Sequence, residues 1–246
     1  MQKATFHDRY FNPNAELPYG VTPEDVAEAI KEWYDLYNGL NDYLHSEGHH
    51  SIENLLRANN ALSDFVGDIL TDNLAEASNA LIKNQKQDGF PDILPVDNDE
   101  YAAKDYRVHH GDHGIETKCS QQNGGWQAHN NEAAWFVIFR YDSIDRDVPP
   151  EEMDNVEIIQ VLAGQLTEED WSHSGRSDDS RRTITSSIIA EGVDKLRSNP
   201  IYQKPEAIVG RAEPKQRYRE LQATFDPVFA DEHPEYLTEQ TSFDDV

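Results

Sequence analysis

The sequence predicts an α/β protein of the α+β kind, in which a central mixed sheet is flanked by helices and preceded by an N-terminal helical extension. Early in the chain, apolar residues recur at helical spacing over about residues 22–44 and 51–81. Farther along, residues 134–141 and 156–162 are runs rich in β-branched and aromatic or other apolar residues, which favour buried strands. A chain of 246 residues is long enough to bury a core between such elements.

The N-terminal extension begins as an irregular arm over residues 1–20, where Asn, Pro and Gly interrupt any periodic pattern. The first helix then begins with Thr22 as its N-cap and Pro23 in the first helical position. Its apolar spacing continues to about Leu44, and Gly48 ends the element.

A second helical region is predicted with Ser51 as its cap. Its apolar stripe comprises Leu62, Phe65, Val66, Ile69, Leu70, Leu74, Ala77 and Leu81. At about 100° per residue, Glu76 lies at the edge of this stripe, whereas Asp64, Asp68 and Asp72 point progressively away from it. Glu76 is therefore the first candidate of this helix for a site beside the core, and Asp68 is the second. The alternative is that Glu76 is an ordinary solvated carboxylate.

Two short strand-like segments follow, and together they carry two carboxylates and an amine. They read GFPDIL at residues 89–94 and GIETKC at residues 114–119. Alternation along a strand places Glu116 and Lys118 on one face, so that Asp92 can converge with them. Carboxylates are natural ligands of Mg²⁺, and a lysine beside such a metal can orient or deprotonate an attacking water and offset developing charge. These residue types suit phosphodiester hydrolysis.

The PD…ExK pattern resembles the PD-(D/E)XK nuclease superfamily over about residues 60–185, and the resemblance implies a restriction-endonuclease-like fold. It implies Asp92 and Glu116 as metal ligands, together with the carbonyl of Thr117, and Lys118 as the catalytic lysine. In that family the first core helix often adds an acidic residue, for which Glu76 is the candidate. The implied cofactor is Mg²⁺, with Mn²⁺ as a substitute. The competing interpretation is a turn carrying Asp92 and an exposed strand carrying Glu116 and Lys118.

The two halves of the motif are separated by residues 95–114, which are too polar to be core and are expected to form a loop or hairpin. This segment contains the run HHGDH at residues 109–113. An alternative hypothesis is a transition-metal site built on His109, His110 and His113, with Asp112.

A polar run at residues 120–131 follows the catalytic strand, and Gly124 and Gly125 permit close approach of a ligand or another backbone. Amide and imidazole groups can contact bases, phosphates or water. Gln127 and His129 are therefore candidate substrate-binding residues. The alternative is a polar turn packed under Trp126.

After the apolar runs at residues 134–141 and 156–162, residues 167–171 favour a helical turn. Three arginines then follow at positions 176, 181 and 182. Arg181 and Arg182, and secondarily Arg176, are predicted to contact DNA phosphates. The alternative is that they pair with local acids such as Asp178 and Asp179. A helix is expected from Ser186 or Ser187 to about Arg197.

The expected organisation is an N-terminal arm and helix at residues 1–50, a nuclease core at residues 51–200, and an extension at residues 201–246. The extension is expected to contain a helix around residues 215–224 and to end in an acidic, mobile tail from residue 231.

The formal charge is −26, from 47 acidic and 21 basic residues, while aromatic residues make up 10% of the chain. This aromatic content argues against disorder, and the excess of acid indicates a halophilic microbe. Molar salt weakens the attraction between cations and phosphate, so an acidic surface does not exclude DNA. The single cysteine, Cys119, excludes an intrachain disulfide and any site built on several cysteines. No apolar run reaches 18 residues, so a cytoplasmic protein without a membrane partner is expected.

The leading hypothesis is a Mg²⁺-dependent endodeoxyribonuclease, with type II restriction as the most natural biology. The implied partners are DNA, a second subunit in a homodimer, and a cognate DNA methyltransferase. Alternative hypotheses are a repair or recombination nuclease, a catalytically inactive nuclease-fold protein that binds nucleic acid, and a hydrolase with a histidine-based metal site.

Overall fold

A six-stranded mixed sheet lies at the centre of the computed structural model, which describes residues 3–56, 60–128, 132–142, 156–173, 185–209 and 212–237. The described strands are β1 (Leu81–Lys83), β2 (Ile93–Pro95), β3 (Ile115–Ser120), β4 (Gln127–Ala128), β5 (Ala134–Tyr141), β6 (Ile158–Leu166), β7 (Trp171–His173), β8 (Ser186–Ile188) and β9 (Pro200–Gln203). The described helices are α1 (Pro23–Ser46), α2 (Ile52–Leu55), α3 (Ala61–Ala77), α4 (Asp99–Ala102), α5 (Ala190–Arg197), α6 (Ala212–Phe225) and α7 (Pro227–Glu232). The chain is thus a mixed α/β protein with helices on both faces of the sheet.

The large sheet has the order β1-β2-β3-β5-β6-β9, and β4, β8 and β7 form a separate three-stranded sheet. Within the large sheet, β3 and β5 are parallel neighbours, whereas the other neighbouring strands are antiparallel. A parallel connection needs a crossover of about a dozen residues or more. This connection lies between Ser120 and Ala134, and its described part contributes β4 to the small sheet.

Helix α1 begins where the local sequence predicts. The Thr22 hydroxyl accepts a hydrogen bond from the Asp25 backbone N–H at 3.3 Å, and the Asp25 carboxylate accepts one from the Thr22 N–H at 2.8 Å. This capping box satisfies two backbone donors that a helix start leaves unpaired. The helix buries Trp33 and Tyr37 completely against the main core.

The second helical region is two helices, so the prediction of a single element over residues 51–81 is wrong. Ser51 is the N-cap residue of α2, and Asn60 precedes α3 in the left-handed backbone conformation, with φ of 67°. That conformation cannot continue an α-helix. At the other end, Leu81 belongs to β1, because Ser78 is already extended and ends α3.

The two faces of the large sheet bury different partners. On one face, α1 and α3 pack against side chains such as Ile115, Val137 and Phe139. On the other face, α5 and the small sheet cover Phe136 and Ile138. The run at residues 134–141 is confirmed as a central buried strand, and the alternation of its side chains supplies both cores.

The three segments expected from the sequence share one core. The N-terminal arm contributes Ala4, Ala15 and Val21 to the main apolar cluster. The Asn12 N–H donates to the Ile201 carbonyl at 2.9 Å. The boundary expected at residue 200 therefore falls within β9, the edge strand that the arm contacts.

Several shorter elements differ from the expectation in detail. The polar segment at residues 95–114 contains α4, and it buries Tyr101 and Val108 with Leu94 in a small cluster of its own. The helical turn near residue 168 is confirmed as a 3₁₀ turn. The helix expected from Ser186 begins only at Ala190, because residues 186–188 pair as β8.

The C-terminal extension is more ordered than its weak pattern indicates. The helix expected around residues 215–224 is confirmed within α6, and α7 follows it. A 3₁₀ turn covers Pro234–Tyr236, so the first part of the expected tail is structured, while residues 238–246 lie outside the described residues. Among the described helices, none combines the length and the apolar character that crossing a bilayer requires.

Candidate metal-dependent active site

Asp92 is positioned by a closely tied hairpin that precedes β2. The Asn84 N–H donates to the Asp92 carbonyl at 2.8 Å, and the Asn84 side-chain amide donates to the carbonyls of Pro91 at 2.9 Å and Val108 at 2.8 Å. These bonds join the hairpin to the segment that returns toward β3. They place the Asp92 side chain beside the start of β3.

The Asp92 carboxylate is held by Thr117 of β3. Its Oδ2 accepts hydrogen bonds from the Thr117 N–H and from the Thr117 hydroxyl, both at 2.9 Å. The Thr117 hydroxyl also contacts the Thr71 hydroxyl of α3 at 2.6 Å. A hydrogen-bonded row therefore runs from α3 through β3 to Asp92.

Glu116 and Lys118 form an ion pair on the face of β3 opposite Ile115, as the alternation predicts. The Glu116 Oε1 accepts from the Lys118 ammonium, and its Oε2 accepts from the Asp92 N–H at 3.3 Å. The Glu116 side chain is only 8% exposed, and that of Lys118 is 25% exposed. The three residues of the motif are thus joined to one another.

Burial dominates the electrostatics of this cluster. It raises the pKa of Glu116 to about 8, an effect that Lys118 opposes and Asp92 reinforces. Burial would lower the pKa of Lys118, but the Glu116 carboxylate more than offsets it, so that the pKa of Lys118 lies above its ordinary value. Perturbed pKa values with a specific charge partner, beside an open cavity, are typical of functional sites.

A cavity of about 450 Å³ opens beside the cluster, between β3 and α3. Its lining includes Asp64, Asp68 and Thr71 of α3 and Lys83 of β1, in addition to the residues of the motif. Helix α3 approaches β3 closely at Gly67, which has no side chain. A Cβ at this position would lie 3.1 Å from the Cys119 Cβ. We refer to this space as the acidic cavity.

A second cavity of about 370 Å³ shares Asp92, Glu116 and Lys118 with the first. Its other lining residues are Asp88, Gly89, Phe90, Gln127, Ala128, Glu132 and Thr185. We refer to it as the aromatic cavity, after Phe90. The ion pair of β3 therefore borders two adjoining spaces.

The structure does not bring Glu76 to the site. Glu76 is exposed and lines neither cavity, and Asp64 and Asp68 occupy the position for which it was the candidate. Glu76 has the position around the helix axis that the prediction required. However, it lies eight residues beyond Asp68, a separation of about 12 Å along the helix axis. The spacing of Asp64, Asp68 and Thr71 at three to four residues marks the face of α3 that borders the acidic cavity.

Of the candidate substrate-binding residues, Gln127 is exposed on β4 and lines the aromatic cavity. His129, Arg176, Arg181 and Arg182 lie outside the described residues. Phe90, which the sequence analysis did not select, lines the same cavity. Its position directly before Pro91 and Asp92 was the signal that could have identified it.

Asp92 and Glu116 are the carboxylates nearest to one another in the motif, and carboxylates are the residue type that binds hydrated Mg²⁺ together with substrate phosphate. In the described part of the chain, no three His, Cys, Asp or Glu side chains are grouped closely enough to enclose a metal ion. The described residues include all three histidines at positions 109, 110 and 113, so they do not support the histidine hypothesis.

No protein-family model, curated protein or solved structure matches this chain. The resemblance noted in the sequence therefore rests on the residues of the motif alone.

Proposed function

We propose that the protein is a Mg²⁺-dependent endodeoxyribonuclease that hydrolyses phosphodiester bonds. The observation that carries the proposal is the junction of Asp92, which directly precedes β2, with Glu116 and Lys118 of β3 at the border of two cavities. The carboxylates are of the type that binds Mg²⁺, and the ammonium is of the type that stabilises a phosphoryl group in transition.

In this mechanism, Asp92 and Glu116 would hold the ion, which when bound supplies Lewis acidity and makes a water molecule a stronger nucleophile. Thr117 fixes the Asp92 carboxylate through two hydrogen bonds, so its orientation is set before substrate arrives. Lys118 carries a proton, and its ammonium group neutralises the charge that builds on the phosphoryl oxygens. No covalent intermediate with the protein is required.

The acidic cavity supports the same proposal through its second row of carboxylates. Asp64 and Asp68 line the same cavity as the motif, and both are exposed. If Asp92 and Glu116 held a divalent ion, these two carboxylates would add negative charge that favours its binding. We propose them in the role that the resemblance assigns to an acidic residue of the first core helix.

The test uses the full chain in molar KCl with supercoiled plasmid. With Mg²⁺, the wild-type protein is expected to nick or linearise the plasmid, and Asp92→Asn is expected to lose activity by about 100-fold or more. Glu76→Gln is the matched control, because this exposed acid of α3 lines neither cavity. Full cleavage by Asp92→Asn would remove the basis of the assignment.

Metal binding separates an active site from a vestigial one. Mg²⁺ or Mn²⁺ at constant ionic strength is expected to raise the melting temperature of the wild-type protein, because a ligand of the folded state stabilises it. The Asp92→Asn/Glu116→Gln double variant is expected to show no such rise. An equal rise in both proteins, together with an absence of cleavage, would favour a nuclease-fold protein that only binds nucleic acid.

A type II restriction activity remains the biology we propose. It implies a homodimer on a short palindrome and a cognate DNA methyltransferase. Repair or recombination is the alternative use of the same chemistry. Cleavage mapped on plasmids of defined methylation distinguishes these possibilities.

A further inference from the structure

The two cavities beside the ion pair share Asp92, Glu116 and Lys118 and differ in their other lining residues. The acidic cavity adds Asp64, Asp68, hydroxyl groups and Lys83, whereas the aromatic cavity adds the Phe90 ring and the Gln127 amide beside the carboxylates of Asp88 and Glu132. The first suits a hydrated cation and a phosphate. The second offers an apolar surface and a group that can both donate and accept hydrogen bonds, which suits an organic ring with a polar edge.

Phe90 is held firmly in its position. Its ring stacks on the imidazole of His110, with 5.2 Å between ring centroids and 22° between planes. Its N–H donates to the His109 carbonyl at 3.2 Å, and its carbonyl accepts from the Gly111 N–H at 2.9 Å. The backbone beside it is closely packed, since a Cβ on Gly89 would lie 2.4 Å from the Val108 carbonyl oxygen. An aromatic surface fixed in this way loses little freedom when it binds a ligand.

The aromatic cavity is an open cleft about the size of one nucleoside. Its volume of about 370 Å³ lies near the lower end of the range for small-molecule pockets. A base that enters the cavity must therefore be unpaired, or must leave the helix stack at a cost of a few kcal/mol.

The described residues that line both cavities offer few cations to neutralise phosphates. Among the described lining residues, Lys83 pairs with Asp72 and Lys118 pairs with Glu116, and the other charged groups are carboxylates. Binding of duplex DNA relies on cations that neutralise phosphates, and this contribution falls as salt rises. Stacking of an unpaired base on an aromatic ring contributes about 1–3 kcal/mol and does not rely on neutralising phosphate charge.

We propose that the protein cleaves DNA at an unpaired nucleotide, whose base occupies the aromatic cavity against Phe90 with its polar edge toward Gln127. The proposal rests on the nuclease function and specifies its substrate as single-stranded DNA, or duplex with a gap, flap or mismatch at the cut site. Phe90 and Gln127 are specificity-determining residues, and the adjoining acidic cavity takes the scissile phosphate.

Binding and cleavage are measured separately. Fluorescence anisotropy in molar KCl with EDTA compares a labelled single-stranded 20-mer with the corresponding perfect duplex. The wild-type protein is expected to bind the single strand at least 10-fold more tightly. Phe90→Leu, which keeps an apolar side chain and removes the ring, is expected to reduce this affinity about 10-fold. Phe90→Tyr is expected to retain it, and Tyr43→Leu on the distant face of α1 is the control.

Cleavage with Mg²⁺ uses a duplex with three unpaired nucleotides, the perfect duplex, and a single strand with one abasic position at the mapped cut. The wild-type protein is expected to cut the unpaired site at least 10-fold faster than the perfect duplex. An abasic nucleotide is expected to slow the wild-type protein but to have little effect on Phe90→Leu, since both changes remove the same contact.

The outcomes separate the two proposals. Equal rates on paired and unpaired DNA, with wild-type affinity in folded Phe90→Leu, would overturn the nucleotide site and leave the nuclease function intact. Ring-dependent binding of the single strand without cleavage of any substrate would overturn the nuclease function and leave the nucleotide site intact. Melting temperatures of all variants verify that each remains folded.

Discussion

Two clusters of buried polar groups involve strands of the large sheet, and they stabilise their buried charges in different ways. The site cluster of Asp92, Glu116 and Lys118 adjoins two open cavities. The second cluster begins at Arg140 of β5 and ends at Asp226, the N-cap of α7. Hydrogen bonds through three glutamines connect these two ends. We call this row the glutamine chain, and it consists of Arg140, Gln160, Gln203, Gln222 and Asp226. None of its five residues is more than 4% exposed.

Within the glutamine chain each amide donates to the next group. The Gln160 side chain accepts a hydrogen bond from the Arg140 guanidinium and donates one to Gln203 at 2.6 Å. Gln203 then donates to Gln222 at 3.1 Å, and Gln222 donates to the Asp226 carboxylate at 3.0 Å. The positive and negative ends are thus connected by oriented dipoles without direct contact. Burial lowers the pKa of Arg140 to about 10, so it remains protonated at neutral pH.

The comparison shows that burial of charge does not by itself identify a functional site. In the glutamine chain, side chains of β5, β6, β9 and α6 bond to one another, and none of the five residues lines the acidic or the aromatic cavity. In the site cluster, the pKa of Glu116 is raised and the charged groups border space that a ligand can enter. We therefore expect changes in the two clusters to affect different measurements.

The largest effect is expected for Lys118→Met. Loss of the ammonium removes the charge that stabilises the phosphoryl group, and cleavage in Mg²⁺ should fall about 1,000-fold, or about 4 kcal/mol in activation free energy. Stability should change little at pH 6, because Glu116, whose pKa is about 8, already holds a proton there and needs no positive partner. Initial rates of plasmid cleavage and urea denaturation check the two parts. Wild-type cleavage by this variant would contradict the proposed role of Lys118.

For Gln160→Leu we expect the loss to appear in stability and not in the cleavage rate. Leucine removes one acceptor of the Arg140 guanidinium and the donor to the Gln203 side-chain oxygen, in a site that water does not reach. The free energy of unfolding should therefore fall by about 3 kcal/mol. Gln165→Leu is a matched control on the same strand, because Gln165 is exposed, and its effect should be within about 0.5 kcal/mol. Chemical denaturation compares the two variants. Equal stabilities would show that the glutamine chain is not structurally required.

The pH dependence of stability should report on Glu116. Its pKa is about 8 in the folded protein and about 4.5 in an unfolded chain, so between these values the folded state holds a proton that the unfolded state has released. Without divalent ions, the free energy of unfolding should therefore fall as pH rises from 5 to 8, on the order of 2 kcal/mol. Denaturation of wild-type and Glu116→Gln proteins across this window tests it, and the variant should lack this contribution.

The smallest effect is expected for Thr71→Val. This change removes the contact between the Thr71 and Thr117 hydroxyls and should cost about 1 kcal/mol of stability. Cleavage should fall several-fold, mainly in kcat, because Thr117 in turn orients Asp92. Thr71→Ser keeps the hydroxyl and should restore both values. A valine variant with unchanged kcat would show that the row of hydroxyls does not position Asp92.

Local chemistry made parts of the fold and the site predictable. The capping box of α1 involves residues three apart, and the alternation that places Glu116 and Lys118 together is a property of any strand. The apolar character of residues 134–141 was sufficient to identify a buried central strand. The arm and the C-terminal extension were less predictable, since their apolar residues have partners that are distant in sequence.

The sequence by itself determined the α/β class, the capped first helix, the buried fifth strand and the shared face of Glu116 and Lys118, because each depends on neighbouring residues and a fixed period. Only the tertiary structure decided that α3 presents Asp64 and Asp68 instead of Glu76, that Phe90 borders a cavity, and that three glutamines connect Arg140 to Asp226. These features depend on distance along a helix axis and on packing between elements far apart in the chain, and neither quantity is contained in a local pattern.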